Sequence, residues 1–483
     1  MKAQRDPHGF FRNPLVDRYS SRAMLEIFSP RKKFQTWREL WIQLAQAQHE
    51  LGLPVTEEQV EELKATRDDL DLERAGELEQ ELRHDVMAHI RAWGEKCPRA
   101  GGIIHLGATS AFVTDNAELI LMKQALHLVK LELVRAIRAL AEQARKYASL
   151  PCLGYTHFQP AQPTTVGKRI CGWIQDLVLD QEELTLVEGA FRARGVKGTT
   201  GTQASFMQLC EGDEEKVREL DRRVAARIGF SDTYPITGQT YPRKFDYRLL
   251  SALAGVAASA AKFGNDLRLL SHEGEMEEPF ETKQVGSSAM AHKRNPMRCE
   301  RIVSLARYVL TLPVNAAFTA ADQWLERSLD DSANRRITIP EAFLAVDACL
   351  LLVENVARGM TVCPERTAAN LEAELPFLMA ESVLMEGVKR GGDRQRLHEK
   401  LREITVEAGR SRRLGRPIDL VARLAGERDF GLDESWLRET LDTTRMVGRA
   451  PGQVEEFLAE VVDPLMELYE AELRSLGSDS VKV

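Results

Sequence analysis

Four long segments of this chain carry apolar residues at alternating spacings of three and four, which is the pattern of one buried helix face. In the first segment these positions include Leu119, Met122 and Leu126. Long helices of this kind bury their apolar faces against one another. The sequence therefore predicts an all-α protein built around a central long-helix bundle. The four segments span residues 115–148, 245–272, 297–325 and 339–359.

The length of the chain, 483 residues, exceeds what one hydrophobic core usually serves and suggests about three domains or one very elongated domain. We expect an N-terminal helical domain at 1–110, the central bundle at 111–362 and a C-terminal helical domain at 363–483. The last boundary falls at Cys363, just before a proline.

Proline interrupts the third helical segment at Pro313. A proline inside a helix removes a hydrogen bond and clashes with the preceding turn, so a kink is expected there. Alternating strand patterns are scarce elsewhere. The stretch 154–169, which holds Pro160 and Pro163, is interpreted as a loop.

Charge and cysteine content exclude several protein classes. The chain has 65 basic and 73 acidic residues, a formal net charge of -8, which argues against general affinity for nucleic acid or an acidic membrane surface. Its seven cysteines are scattered without a C-x-x-C spacing, so neither a disulfide framework nor a zinc site is predicted. The N-terminus lacks an apolar leader, and no uncharged apolar run reaches the roughly 18 residues of a membrane span. A cytoplasmic protein with mostly buried, reduced thiols is expected.

Residues 286–296 read Gly-Ser-Ser-Ala-Met-Ala-His-Lys-Arg-Asn-Pro and combine hydroxyls, cations and an amide in a non-helical segment. Ser287 and Ser288 follow the glycine, while Lys293 and Asn295 can stabilise anions. A catalytic flap is one interpretation. A polar surface loop fits the same composition equally well.

Histidines in three other segments are candidates for proton transfer, each with a structural alternative. His84 lies beside Asp85, a pair that is more often a solvated helix face. His105 lies between two apolar residues and fits a satisfied core histidine equally well, and the following Thr109-Ser110 fits a helix N-cap. His157, after Thr156, suits a positioned imidazole or a structural loop.

The segment 327–336 reads Arg-Ser-Leu-Asp-Asp-Ser-Ala-Asn-Arg-Arg. Its adjacent aspartates suggest magnesium, but a metal site needs further carboxylates at helical spacing, and Ser332, Asn334 and Arg336 stand nearby instead. An anion site fits better. Arg301 is a further candidate cation, although charge on a helix is usually a solvated face.

Together these motifs resemble the adenylosuccinate lyase family of the fumarase and aspartase superfamily, over nearly the whole chain and most closely in its long, animal-type form. The family's flap usually has proline after methionine, whereas this chain has Ala291, which loosens the backbone there. The matching segments are Arg18-Tyr19, Arg83 to Asp85, His105 to Ser110, Thr156-His157, Lys197 to Phe206, Thr237 to Thr240, Gly286 to Pro296 and Leu329 to Arg336.

The resemblance implies a β-elimination that releases fumarate from adenylosuccinate and from succinylaminoimidazole carboxamide ribotide (SAICAR), giving AMP and AICAR in purine nucleotide biosynthesis. It implies no cofactor and no metal. Its implied partners are a small-molecule substrate and three further subunits of a homotetramer, with sites shared between subunits and no nucleic acid or membrane. The alternatives are another superfamily lyase, such as argininosuccinate lyase or fumarase, and an inactive helical scaffold.

The resemblance also implies roles for individual residues. Ser287 matches the base, His157 the general acid and Lys293 a group that stabilises the dianion. Glu300 matches the carboxylate that orients the acid, and His84 is a further catalytic match. The matching substrate-binding residues are Arg18, Tyr19, Arg83, His84, Asp85, His105, Thr109, Ser110, Thr156, Gln239, Ser288, Asn295, Arg301, Arg327, Ser332 and Arg336.

Overall fold

Helices dominate the computed structural model, which describes residues 9–416 and 419–475. The first eight residues, where no apolar leader was predicted, lie outside these ranges. The N-terminal helices are α1 (Arg22–Ile27), α2 (Pro30–Glu50), α3 (Glu57–Ala65), α4 (Leu72–Leu82) and α5 (Asp85–Gly94). The central helices are α6 (Ser110–Lys146), α7 (Val166–Glu188), α8 (Ala204–Leu209), α9 (Glu214–Arg227), α10 (Lys244–His272), α11 (Met297–Val309), α12 (Leu312–Ala321) and α13 (Asp330–Gly359). The C-terminal helices are α14 (Pro364–Leu378), α15 (Ala380–Lys389), α16 (Arg394–Arg413), α17 (Leu420–Ala425), α18 (Glu434–Thr440), α19 (Thr443–Met446), α20 (Ala450–Phe457) and α21 (Asp463–Ser475).

The long helices α6, α7, α10, α11 and α13 pack against one another as a bundle, so the all-α prediction is confirmed. On α6 four leucines at seven-residue spacing are completely buried. This spacing keeps them on one face over about 30 Å of helix. The leucines are Leu119, Leu126, Leu133 and Leu140.

Two further hydrophobic cores lie outside the bundle. One joins α2, α3 and α5 to residues 196–224, and the other lies within residues 379–437. The bundle core also takes in residues from both ends of the described chain, such as Met24 and Val462. The domain limits after residues 110 and 362 stay a prediction.

Pro313 does not kink a continuous helix, as had been predicted, but lies at the start of a new one. Instead of one kinked helix over 297–325, the chain breaks at Leu310 and Thr311 and starts again as α12, with Pro313 in its first turn. A proline there costs no hydrogen bond because the first N–H groups of a helix have no intrahelical acceptor. Helix α13 begins at Asp330 rather than near residue 339, with two aspartates placed favourably in its first turn.

The stretch predicted as a loop at 154–169 is mostly a β-hairpin. Strand β1 (Pro151–Thr156) pairs antiparallel with β2 (Gln159–Thr165), and α7 follows directly. A second, two-residue pair joins β3 (Met276–Glu277) to β4 (Thr361–Val362) beside the flap segment. Both ladders are small additions to a helical protein.

All seven cysteines are free thiols and six are buried, as predicted. By length and composition the stretch Met297–Ala321, formed by α11 and α12, is apolar enough to cross a membrane. One such stretch is a weak indication, and α11 is packed into the bundle against α10 and α13.

A network of buried ions ties α6, α10 and α13 together. Arg243 donates to Asp115 at 3.0 Å and to Asp331 at 2.7 Å. Arg335 donates to Asp246 at 2.7 Å and to the hydroxyl of Tyr241, which itself donates to Asp246 at 2.6 Å. Each charge is thus held by hydrogen bonds from a different element, which fixes the register of the three helices.

The cations of this network stabilise the ionised form of its carboxylates. Burial alone would raise the pKa of Asp115, but the cations of Arg243, Arg335 and Arg194 hold that pKa below its ordinary value. The carboxylate is therefore ionised at neutral pH, and removing a cation leaves it buried and uncompensated.

We expect Arg243→Met to lower the free energy of unfolding by about 3–5 kcal/mol, because Asp115 and Asp331 would lose their shared cation. The matched control Arg222→Met removes only an exposed pair with Glu219 and should cost much less, because solvent screens that pair. Urea unfolding of both variants measures the difference. Similar losses for the two variants would contradict the stabilising role of the network.

Candidate active site

The first turns of α13 carry three of the predicted anion-binding residues. Arg327, just before the helix, donates to Asp331 at 3.1 Å. Ser332 and Arg336 lie four residues apart and therefore on one helix face. The aspartates that suggested magnesium are engaged otherwise, since Asp331 binds two arginines and Asp330 accepts from Ser328. This end of α13 presents cations rather than metal ligands.

The loop that carries Gln239 is held against the segment before α13. The backbone N–H of Gln239 donates to the Glu326 carbonyl at 2.9 Å, and the Gln239 carbonyl accepts from Arg194 at 2.9 Å. The preceding Gly238 has no space for a side chain, because a Cβ would lie 2.5 Å from the same Glu326 carbonyl. Gln239 is thereby fixed next to Arg327.

The N-terminus of α5 meets the start of α6 and the exposed face of α13. The Nδ1 atom of His84 accepts from the Met87 N–H at 3.3 Å, and its Nε2 atom lies 3.5 Å from Ser110 Oγ. Asp85 accepts from Arg336 at 3.2 Å. Residues from three distant segments therefore converge here, and the neighbouring Arg83 holds a left-handed conformation at φ 52° that turns the chain into α5.

His105 is half-buried, and one of its ring nitrogens has a hydrogen-bond partner. Its Nδ1 accepts from the indole N–H of Trp41 at 2.9 Å. Burial, aided by the nearby His84, lowers the pKa of His105 to about 4. The ring is neutral at physiological pH with its proton on Nε2. Its contact with substrate stays a prediction.

Thr109 occupies the N-cap position of α6, yet its side chain makes no capping hydrogen bond. An N-cap threonine ordinarily accepts from an amide of the first turn. The hydroxyl is therefore available to a ligand, in line with the predicted substrate-binding role.

A second group of cations lies further along α13. The guanidinium of Arg301 stacks over the Tyr19 ring at 5.4 Å, and that of Arg18 lies 5.9 Å from the same ring. Tyr19 belongs to a segment that contacts α13, where Ser20 donates to the Leu344 carbonyl at 3.0 Å. Leu344 is eight residues beyond Arg336, which separates these two backbone positions by about 12 Å along the helix. Arg301 reaches the same ring from α11.

The flap segment 282–296 is an ordered turn. Ser287 Oγ accepts from the amide N–H groups of Met290 at 3.1 Å and Ala289 at 3.4 Å. Asn295 donates to the carbonyl of the buried Gly286 at 2.8 Å, which closes the base of the turn. The Lys293 side chain is exposed, as is Ser288. Two amides aimed at one hydroxyl oxygen stabilise negative charge on it.

His157 lies at the exposed tip of the β1–β2 hairpin. His157 and Phe158 form a two-residue turn with φ values of 52° and 55°. Such turns ordinarily use Asn-Gly, so two residues with side chains here hold a strained backbone. Thr156 closes the turn by pairing with Gln159.

Side-chain hydrogen bonds and ion pairs do not connect all of these groups in the described part of one chain. The side chains of His157 and Glu300 make no hydrogen bond or ion pair with any other predicted site residue within residues 9–416 and 419–475. The flap leads directly into α11, whose first turns carry Glu300 and Arg301.

Several residues that support these surfaces were not predicted. Arg194 is fully buried and holds the Gln239 loop, and Arg243 with Asp115 anchors Asp331. Trp41 sets the tautomer of His105. A sequence signal existed for Asp115, because a carboxylate and then Asn116 fall among apolar positions of a long helix.

Comparison with known proteins gives a consistent picture. The family described as Lyase matches residues 18–311, and the one described as Adenylosuccinate lyase C-terminus matches residues 376–457. The adenylosuccinate lyase of Schistosoma mansoni is 49% identical over 95% of this chain and 96% of its own, and that of Saccharomyces cerevisiae is 45% identical over 98% of each. The 3-carboxy-cis,cis-muconate lactonizing enzyme from Pseudomonas putida has a similar structure, with a TM-score of 0.80, 26% identity and coverage of 94% of this chain and 99% of its own.

The protonation of His105 is a test of the site's electrostatics. We expect its imidazole to titrate at about 4, whereas the hydrogen bonds that His127 donates to Glu188 and Glu472 raise the pKa of His127 above 6.5. The folded pKa of His105 lies below the ordinary value of about 6.5, so the unfolded chain binds a proton at this residue more readily than the folded protein does. The free energy of unfolding should therefore decrease as the pH falls from about 6.5 toward 4. Hydrogen exchange at the imidazole C2, read by mass spectrometry, gives both midpoints. A His105 midpoint at or above that of His127 would refute this description.

Proposed function

The chain belongs to the adenylosuccinate lyase family, and we propose that it is a carbon–nitrogen lyase of the amidine-lyase type that releases fumarate from adenylosuccinate and from SAICAR. The products would be AMP and AICAR, intermediates of purine nucleotide biosynthesis. The observation that carries this proposal is the convergence of His84, Asp85, Ser110 and Arg336 from distant segments on an exposed, cation-rich face.

Charge complementarity supports a succinylated ribotide as the substrate. Two carboxylates and a phosphate carry roughly four negative charges near neutral pH, since the second phosphate pKa is about 6. In a protein of net charge -8, the binding cations must be concentrated locally. Guanidinium groups suit this task because their forked donors match carboxylate and phosphate oxygens. The proposed cations are Arg18, Arg301, Arg327 and Arg336, assisted by Tyr19, Ser332 and Gln239.

Ser287 is the proposed base that removes a proton from the carbon next to a succinyl carboxylate. A serine hydroxyl is a weak base unless its alkoxide is stabilised. The two amides that already donate to Ser287 Oγ supply that stabilisation, and Lys293 adds a positive charge on the same flap. The developing dianion would be bound by Lys293, Asn295 and the amides of the flap, with Ser288 beside them.

His157 is the proposed general acid that protonates the leaving nitrogen when the carbon–nitrogen bond breaks. General acid catalysis contributes roughly a hundred- to ten-thousand-fold in rate. The strained hairpin turn presents this imidazole at an exposed tip, where it can reach into another site. Glu300 would orient and charge it. His84, within 3.5 Å of Ser110, would act near the reacting centre.

We further propose a homotetramer in which three subunits complete each site. In the described part of one chain the hairpin, the flap and the α13 face share no side-chain hydrogen bond, so partner copies would have to supply the missing groups. Large apolar side chains exposed on the bundle support such an assembly, because a monomer rarely leaves an extensive apolar surface in water. They include Leu310, Val314, Phe318, Trp324 and Leu325. A cytoplasmic location and domain limits after residues 110 and 362 belong to the same proposal.

Purified protein is expected to convert adenylosuccinate to AMP and fumarate, which an ultraviolet absorbance assay follows directly. The physical reason is the match between the anionic substrate and the cations along α13. SAICAR should be cleaved by the same preparation. Turnover of argininosuccinate with no turnover of either ribotide would overturn the proposal in favour of another superfamily lyase.

Ser287→Ala and His157→Ala should each reduce turnover by at least about a hundredfold while leaving ribotide binding largely intact, because each removes one proton-transfer group. Mixing the two inactive proteins under subunit exchange should restore part of the activity, since some mixed sites would hold an intact pair. His272→Ala, at the end of α10, is the matched control and should remain active. Exchange that is verified by mass spectrometry but restores no activity would contradict the shared site.

A further inference from the structure

A cavity of about 240 Å³ opens beside Arg336, between α2, α6 and α13. Most of its wall is apolar, but four charged side chains also line it: Lys33, Glu118, Arg335 and Arg336. A cleft with mostly apolar walls and a few convergent polar groups is the usual form of a small-molecule pocket. Its position next to Arg336 places it at the proposed substrate-binding face.

Two of the three carboxylates that act on Lys33 already have arginine partners. Glu118 accepts from Arg335 at 2.5 Å, and Asp85 accepts from Arg336 at 3.2 Å. The Lys33 ammonium forms no hydrogen bond or ion pair with any residue of the ranges 9–416 and 419–475. Its ammonium instead lies 5.3 Å from the centre of the Phe34 ring and 5.1 Å from that of Trp37.

The surroundings of Lys33 call for an anion. Burial lowers the pKa of Lys33, and the neighbouring charge of Arg336 lowers it further, against the opposing carboxylates of Glu118, Asp85 and Glu79. Two cations held side by side on the wall of an open cavity repel each other. An anionic ligand would relieve this repulsion and would replace the hydration that Lys33 has lost.

We propose that Lys33 is a further substrate-binding residue, which binds an anionic oxygen group of the substrate together with Arg336. The inference rests on the proposed function, because it assigns the ligand of the same site. Phosphate and carboxylate share the required chemistry. Lys33 would act as a compact charge with three donors, and Arg336 as a planar fork on the other side of the group.

The alternative is that Lys33 only packs against the rings of Phe34 and Trp37 and binds no ligand. Lys33→Met separates the two, because methionine retains an unbranched apolar chain over the rings and loses the charge. A covering role predicts unchanged substrate affinity in this variant. A binding role predicts a higher KM for adenylosuccinate, by about ten- to a hundredfold for the loss of one charge-assisted hydrogen bond.

The test compares kcat and KM for Lys33→Met, Lys33→Arg and the matched control Lys32→Met, the neighbouring lysine on α2. Lys33→Met should raise KM much more than it lowers kcat, Lys33→Arg should recover part of the affinity, and Lys32→Met should behave as the wild type. Inhibition by the two products identifies the bound group. Weaker inhibition by AMP alone assigns the phosphate to Lys33, and weaker inhibition by fumarate alone assigns a succinyl carboxylate.

Unchanged KM and unchanged inhibition by both products in Lys33→Met would overturn this inference and leave the proposed function intact. An inactive wild type would instead overturn the proposed function. If Lys33→Met fails to fold, acetylation of the wild-type protein with and without AMP or fumarate decides the question. Protection of Lys33, but not Lys32, by either product supports the inference, and equal modification in all samples overturns it.

Discussion

The buried ions inside the bundle determine where the functional groups of this protein can stand. Arg243 and Arg335 each bind carboxylates from more than one helix, and the aspartates they hold include Asp331, which also binds Arg327. Because these charges are out of water, each is stable only while its partners keep their places. The network therefore fixes the first turns of α13, and through them the half-buried Ser332 and the exposed Arg336. The positions of these candidate site residues therefore depend on the buried ion pairs behind them.

Helix α13 contacts both candidate groups of cations. Arg336 lies near its start, where it meets α5, and Ser20, next to Tyr19, is hydrogen-bonded to the Leu344 carbonyl about two turns further along. Arg301 joins this second group from α11, which packs against α13 and begins directly after the flap. A rigid scaffold holds such groups at a constant separation, which suits a ligand with charges at both ends. Because no side-chain hydrogen bond or ion pair joins the hairpin or the flap to these cations in the described residues, we propose that neighbouring subunits complete each site.

The sequence predicted the long helices well because their apolar spacing is regular, as at 245–272, where α10 spans Lys244–His272. It failed where tertiary context decides: Pro313 begins a new helix, and the His157-Phe158 turn lacks the Asn-Gly pair that marks a hairpin. Spacing alone could not show that His84, Ser110 and Arg336 meet. No sequence pattern pointed to Lys33 as a binding residue, because its proposed role depends on the cavity and on Arg336 beside it.

The central claim is that one substrate is bound by groups from different subunits. The most direct measurement is an experimental structure of the Ser287→Ala protein with adenylosuccinate bound. The account predicts one ligand contacted by the α13 arginines of one subunit, the flap of a second and His157 of a third. A ligand surrounded by all three groups from a single chain, or bound away from Arg336, would contradict it.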